Sequence, residues 1–183
     1  VEFSDEFAKH GHEVVLVEKL SHILALAFDP ELSEKIEMLL KDRGVNVRTG
    51  TGVTESIGEG TVRGVKLENG EVIDADAVVL SMGYLPNSGL AKDSGIYMDE
   101  SGFIAVDEYM RTHEHDVFAI GDCAQKRDFV TRRRVPTMLA STACAEARIA
   151  GMNLYSLNTV KTFSGTIAIY ATAIGDTGFG TAG

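Results

Sequence analysis

Apolar and polar positions fall into blocks whose period changes along the chain. In residues 2–10, Phe3, Phe7 and Ala8 share one face at helical spacing and Gly11 supplies a stop, which predicts an opening helix. Glu13-Val14-Val15-Leu16-Val17-Glu18 is a β-branched run, apolar at successive positions, the pattern of a buried parallel strand. Asp29-Pro30-Glu31 then opens a second helix, with Asp29 as cap, Pro30 in the first turn and Glu31 favourable to the dipole. Leu32, Ile36, Leu39 and Leu40 form its buried stripe, and Gly44 ends it. Val45-Asn46-Val47-Arg48 follows as a strand. Helix, strand, helix, strand is the rhythm of a Rossmann-like, doubly wound parallel sheet in the α/β class.

The period then shortens. Residues 51–57, 61–67 and 71–73 are glycine-punctuated strands, and Asn69-Gly70 is a hairpin signal. They predict an antiparallel meander inserted in the sheet, which the chain rejoins through Ala77-Val78-Val79-Leu80. Residues 89–111 read mostly as loop, with a short strand near residues 104–106. Val117-Phe118-Ala119-Ile120 reads as a buried strand stopping at Gly121-Asp122. Pro136 precedes an alanine-rich helix from about Met138 to Tyr155. Residues 166–183 start like a strand and dissolve into glycine and threonine.

Composition narrows the classes. The 183 residues are 44% apolar and 24% charged, enough for a folded core. A net charge of −10 argues against nucleic acid or an anionic membrane as the main partner. The longest apolar stretches, residues 23–28 and 167–174, are too short for a bilayer, and the acidic opening is no signal peptide. Cys123 and Cys144 are too few for a disulfide framework or a thiolate metal site, and both are expected to pack internally in a reduced, cytoplasmic protein. The histidines form no metal pattern. Lys126, Arg127, Arg132, Arg133 and Arg134 make a basic run, read either as a solvated loop or as an anion site.

Three places carry chemistry. Glu18 closes a strand, where an acid accepts hydrogen bonds from ribose hydroxyls and repels a 2′-phosphate; otherwise it is simply solvated. Gly121-Asp122 ends a strand, where a carboxylate grips sugar or ribityl hydroxyls or merely makes a turn. Gly83-Tyr84-Leu85-Pro86-Asn87 is a rigid turn that Asn87 can tie locally.

In chain order, the run Glu13 to Glu18, the turn Gly83 to Asn87 and the stretch ending at Gly121-Asp122 resemble the FAD-dependent pyridine nucleotide-disulfide oxidoreductases. The stretch Thr112-His113-Glu114-His115-Asp116-Val117-Phe118-Ala119-Ile120-Gly121-Asp122 is similar to the family's second flavin motif, and the wider sequence to the branch of NADH oxidases, NADH peroxidases and coenzyme A-disulfide reductases. The resemblance implies FAD and NADH as cofactors. It implies that Glu2 is the acid on the helix facing the nicotinamide and that Glu18 binds the adenosine ribose, favouring NADH, with Lys19 a neighbouring cation that could tolerate a phosphate. Gly83 is implied to turn over the dinucleotide, Asp122 to hold the ribityl chain with Gly121 allowing close approach, and the helix from Met138 to face the flavin pyrimidine with its positive end. The implied parent is a homodimer passing hydride from NADH to FAD and on to oxygen, peroxide or a disulfide, with coenzyme A among the candidate substrates.

The family's first flavin half, its redox-active cysteine and its glycine-rich phosphate loop have no counterpart here. The chain is therefore expected to be an internal piece, inactive by itself. Residues 1–85 would belong to the nicotinamide domain, 86–158 to the second flavin half and 159–183 to the start of a dimerisation domain. The alternative is a non-catalytic nucleotide-binding or interaction module, which NADH would protect thermally. A structural role would instead pair exposed sheet edges between copies.

Overall fold

The computed structural model describes residues 1–156 and 161–182, so the expected boundary between residues 158 and 159 lies outside the described residues. The chain forms two compact units, Val1–Ser81 together with Ile169–Gly183, and Met82–Ala168.

In the first unit, α1 (Glu2–Lys9), β1 (Val14–Val17), α2 (Pro30–Asp42) and β2 (Val45–Arg48) follow in the expected order. β1 and β2 pair in parallel from Val14↔Val45 to Val17↔Arg48. Ile36 and Leu40 of α2 pack with Val45 of β2 and with Ile23 and Phe28 from the connection before α2. Burying side chains of this size contributes about 1.5–3 kcal/mol each. This is the α/β architecture expected, but several details differ. β1 is half-buried, since among the described residues only β2 pairs with it. Asp29 stands at the N-cap of α2 but makes no side-chain cap hydrogen bond.

The buried side of α1 is not the aromatic one. Phe3 and Phe7 are 66% and 42% exposed, their rings stacked with centroids 6.0 Å apart. Val1 and Ala8 face the core instead, and with them the buried Asp5. Arg43 pairs with one Asp5 oxygen, and Gly175 N–H donates to the other at 2.9 Å.

β3 (Val53–Ile57), β4 (Gly64–Leu67) and β5 (Val72–Asp74) form the antiparallel meander in the order β3-β4-β5. Gly70 N–H donates to Leu67 O at 2.9 Å, closing the Asn69-Gly70 turn. The expected return strand at residues 77–80 does not form, and Val79 and Leu80 lie exposed. A strand exists only through a neighbour's hydrogen bonds, and among the described residues none are offered there.

Residues 169–182 do not dissolve. β8 (Ile169–Ile174) and β9 (Thr177–Ala182) form a hairpin turned at Gly175-Asp176, with Ile174 in the core of the first unit and Phe179 packed against it. A two-residue turn led by glycine sets that register.

The second unit holds α3 (Gly89–Asp93), where a loop was expected, then β6 (Lys126–Arg127), β7 (Arg134–Val135) and α4 (Ala140–Asn153). Ala91, Ile104, Ala119 and Ala124 make one core cluster; Met110, Ile149 and Ala150 make another. Ile104 joins Met98 and Ala124 by single bridges rather than in a strand. Residues 117–120 are not a buried strand either: Phe118 makes one bridge to Arg111, Val117 and Ile120 are exposed, and only Ala119 is buried. Thr112 holds the loop before them, its N–H and hydroxyl donating to Val117 O at 2.9 and 3.0 Å. Cys123 is half-buried, whereas Cys144 is exposed on α4 instead of packed. Among the described residues no helix is long and apolar enough to cross a membrane, and no His, Cys, Asp and Glu side chains cluster as metal ligands would.

Candidate functional site

The carboxyl ends of β1 and β2 form one candidate site, as parallel strand ends do in nucleotide-binding sheets. Glu18 follows β1, its N–H donating to Arg48 O at 2.8 Å. One Glu18 oxygen accepts the Leu20 N–H at 2.8 Å, which fixes the carboxylate at the strand end. Among the described residues the other oxygen accepts nothing, so Glu18 has the acceptor a ribose hydroxyl requires. Beside it lies an open cavity of about 420 Å³ whose lining includes Arg48, Thr51, Glu68 and Glu71. Lys19 is engaged there: its Nζ donates to Glu68 Oε1 at 2.9 Å while Gly52 N–H donates to Glu68 Oε2 at 3.2 Å. The Lys19 hydrogen bond, and then that of Gly52, hold the Glu68 carboxyl below its ordinary value. Glu2 is exposed in the first turn of α1, and Thr172 of β8 donates its hydroxyl to Glu2 Oε1 at 3.1 Å. No direct contact among the described residues brings Glu2 and Glu18 together.

The second unit builds the other site around a 3₁₀ turn, Gly121–Cys123. Gly121 has φ +78°, a backbone that costs a residue with a Cβ strain, so glycine is required there. A Cβ there would make only an ordinary contact, 3.7 Å from the Ala143 Cβ of α4, so it is the backbone conformation that selects glycine. Asp122 is exposed on this turn, and among the described residues its carboxylate accepts no hydrogen bond. A fixed turn offering a free carboxylate, next to a helix, fits the hydroxyl-rich chain of a flavin. Met138 lies half-buried, two residues before the first helical residue Ala140, so the positive end of the helix begins later than expected. Gly83, with φ +81°, groups with this unit and has open space where a Cβ would go. Among the described residues Asn87 makes no side-chain hydrogen bond to its turn; Ser88 closes it instead, its N–H donating to Pro86 O at 3.0 Å, and its hydroxyl reaches out to Gly102 O at 2.6 Å.

Two side chains that hold this site carry no clear sequence signal. Glu146, on the alanine-rich α4, accepts the Gly121 N–H on Oε2 at 2.7 Å. Lys126, first residue of the expected solvated basic run, is instead fully buried; its Nζ donates to Gly121 O and Ala124 O and lies 3.4 Å from Glu146 Oε1. Burial pushes the Glu146 carboxyl up, against the lowering effects of Gly121 N–H and Lys126. The remaining arginines of the run are exposed but do not form a plain solvated loop: Arg127 and Arg134 pair across β6 and β7, and Arg132 donates to Ser164 O.

Known proteins resemble this chain in sequence and fold. The family model described as pyridine nucleotide-disulphide oxidoreductase matches residues 1–147. Rhodocoxin reductase of Rhodococcus erythropolis is 34% identical over 153 residues, covering 80% of this chain and 35% of that protein. The NAD(P)H coenzyme A polysulfide/persulfide reductase of Pyrococcus horikoshii is 34% identical over 154 residues, 84% of this chain and 34% of that one. The crystal structure of a FAD-dependent pyridine nucleotide-disulphide oxidoreductase from Desulfovibrio vulgaris superposes with a TM-score of 0.89 at 33% identity, covering 100% of this chain and 46% of that one. The chain thus spans about a third of the length of the curated relatives it matches. With the family's model matched over most of the sequence and its α/β fold shared with a solved relative, the chain belongs to the pyridine nucleotide-disulphide oxidoreductase family.

Proposed function

We propose that this chain supplies the NADH-binding and second flavin-binding parts of a flavoprotein oxidoreductase, NADH oxidase-like, that passes hydride from NADH to FAD and on to oxygen, peroxide or a disulfide. The observation that carries the reading is the free Asp122 carboxylate on the Gly121 turn, backed by α4. FAD, when bound, supplies the two-electron acceptor. Asp122 would accept hydrogen bonds from its ribityl hydroxyls, and Gly121 keeps that approach open. The first N–H groups of α4 have no intrahelical partners and present positive charge suited to an electron-rich flavin ring. Glu18 would accept the adenosine ribose hydroxyls of NADH and disfavour a 2′-phosphate. Engagement of Lys19 by Glu68 supports that preference, because it occupies the cation next to Glu18 in the chain. Glu2 would face the nicotinamide and Gly83 the dinucleotide backbone. Residues 1–85, 86–158 and 159–183 would contribute nicotinamide-binding, flavin-binding and dimerisation segments.

The test is retention of flavin. Purified chain incubated with FAD and desalted should keep visible flavin absorbance, and Asp122→Asn should lose most of it. NADH should raise the melting temperature more than NADPH, and Glu18→Ala should erase the difference. No retained flavin in the wild-type chain, or equal retention in the variant, would overturn the flavin reading.

A further inference from the structure

Lys126 and Glu146 are both completely buried, with 0% of either side chain exposed. A buried ion pair is a poor source of stability, because well-packed apolar residues of similar volume serve as well or better. This pair makes contacts that an apolar pair could not. Glu146 Oε2 takes the Gly121 N–H at 2.7 Å, and Lys126 Nζ donates to the Gly121 carbonyl. Both backbone polar groups of one residue are thus held by side chains of opposite charge. Lys126 Nζ also donates to Ala124 O at 3.1 Å, so the far end of the turn is fixed as well. Each partner is anchored separately, Lys126 by the β6 register with Val135 and Glu146 by the middle of α4. Asp122 is the residue held between these points. Its own side chain has no protein partner among the described residues, so the backbone of the turn sets where its carboxylate starts.

We infer that Lys126 and Glu146 are positioning residues that clamp Gly121 and so aim the Asp122 carboxylate at the ligand. Glu146 is the primary member, because a carboxylate on the Gly121 N–H fixes the peptide entering the turn. Lys126 neutralises it and fixes the peptide leaving the turn. The clamp rests on the flavin reading of Asp122 for its consequence, but its effect on the turn can be measured without ligand.

The experiment compares wild type, Glu146→Ala, Glu146→Gln and Asp122→Asn in the full chain. Residue-resolved amide hydrogen exchange reads the clamp directly. In Glu146→Ala, protection of the Gly121 amide should fall about tenfold or more, the scale of losing a hydrogen bond to a charged acceptor. The amides of Ile149 and Ala150 in the same helix should change far less. Glu146→Gln, which keeps an acceptor oxygen, should restore most of the Gly121 protection, and it supplies the answer if Glu146→Ala does not fold. Titration with FAD then reads the consequence: affinity should fall about tenfold in Glu146→Ala and recover in Glu146→Gln. Unchanged Gly121 protection in Glu146→Ala, equal protection losses in the alanine and glutamine variants, or FAD binding to Glu146→Ala as tight as to wild type would overturn the clamp. Absence of FAD binding by wild type, or equal binding by Asp122→Asn, would instead defeat the flavin reading, and the exchange data alone would then decide the clamp.

Discussion

Asp5 shows how one side chain can bind distant segments. Its carboxylate meets Arg43 after α2 and the N–H of Gly175 in the β8–β9 turn. Removing it leaves Arg43 and that N–H short of an acceptor in a half-buried place. Asp5→Ala should therefore destabilise the chain by about 2 kcal/mol, read from urea unfolding midpoints; an unchanged midpoint would show the contact to be idle. Asp5 was not legible in the sequence. A helical stripe of Phe3, Phe7 and Ala8 advertises an apolar face, and nothing in residues 2–10 says that an arginine far along the chain will bury the other. The same holds for Lys126 and Glu146, whose surroundings read as a basic loop and an alanine face. The places of Glu18, Gly121 and Asp122 were legible, because each sits where a strand-like run ends, and their roles are those proposed above.

At the scale of elements, local pattern identified α1, β1, α2, β2 and the meander well, since each is made from contiguous residues with a clear period. It failed where pairing decides. Residues 77–80 have the composition of a strand without a partner, and residues 117–120 have one bridge. The β8–β9 hairpin was obscured by its glycines, although Gly175-Asp176 was a readable turn. The meander has a tight point of its own: a Cβ on Gly64 would lie 2.5 Å from Ile73 O on β5. Gly64→Ala should push β5 off β4 and cost about 1–3 kcal/mol. Loss of amide protection in both strands, with that of α4 unaffected, is the expected result; an undisturbed β4–β5 ladder would contradict it.

Across the whole molecule, pH sums over both units. Burial raises the Asp5 carboxyl, but the Gly175 N–H and Arg43 outweigh it, leaving it below its ordinary value. Burial likewise opposes Gln125 and the N–H groups of Phe103 and Ser101 at Asp99, and again the net direction is down. A depressed carboxyl contributes stability above its unfolded pKa and loses it as pH falls through the folded value. Stability should therefore hold from neutral pH to about 5 and fall below about 4. Glu146, raised, opposes this trend, because its protonated form is favoured in the fold as pH drops. Urea midpoints between pH 7 and 3 check the curve, and Asp5→Asn should make its acid limb shallower; a midpoint indifferent to pH would refute the balance. The Asp5–Gly175 contact also has a consequence in time. The two residues are 170 positions apart, so a ribosome adding roughly 5–20 residues each second makes Gly175 on the order of ten to thirty seconds after Asp5. Through that interval Arg43 can already hold one Asp5 oxygen, but the other waits for its Gly175 donor and the cluster of Ile23 and Phe28 waits for Ile174, so the first unit closes only when the hairpin arrives.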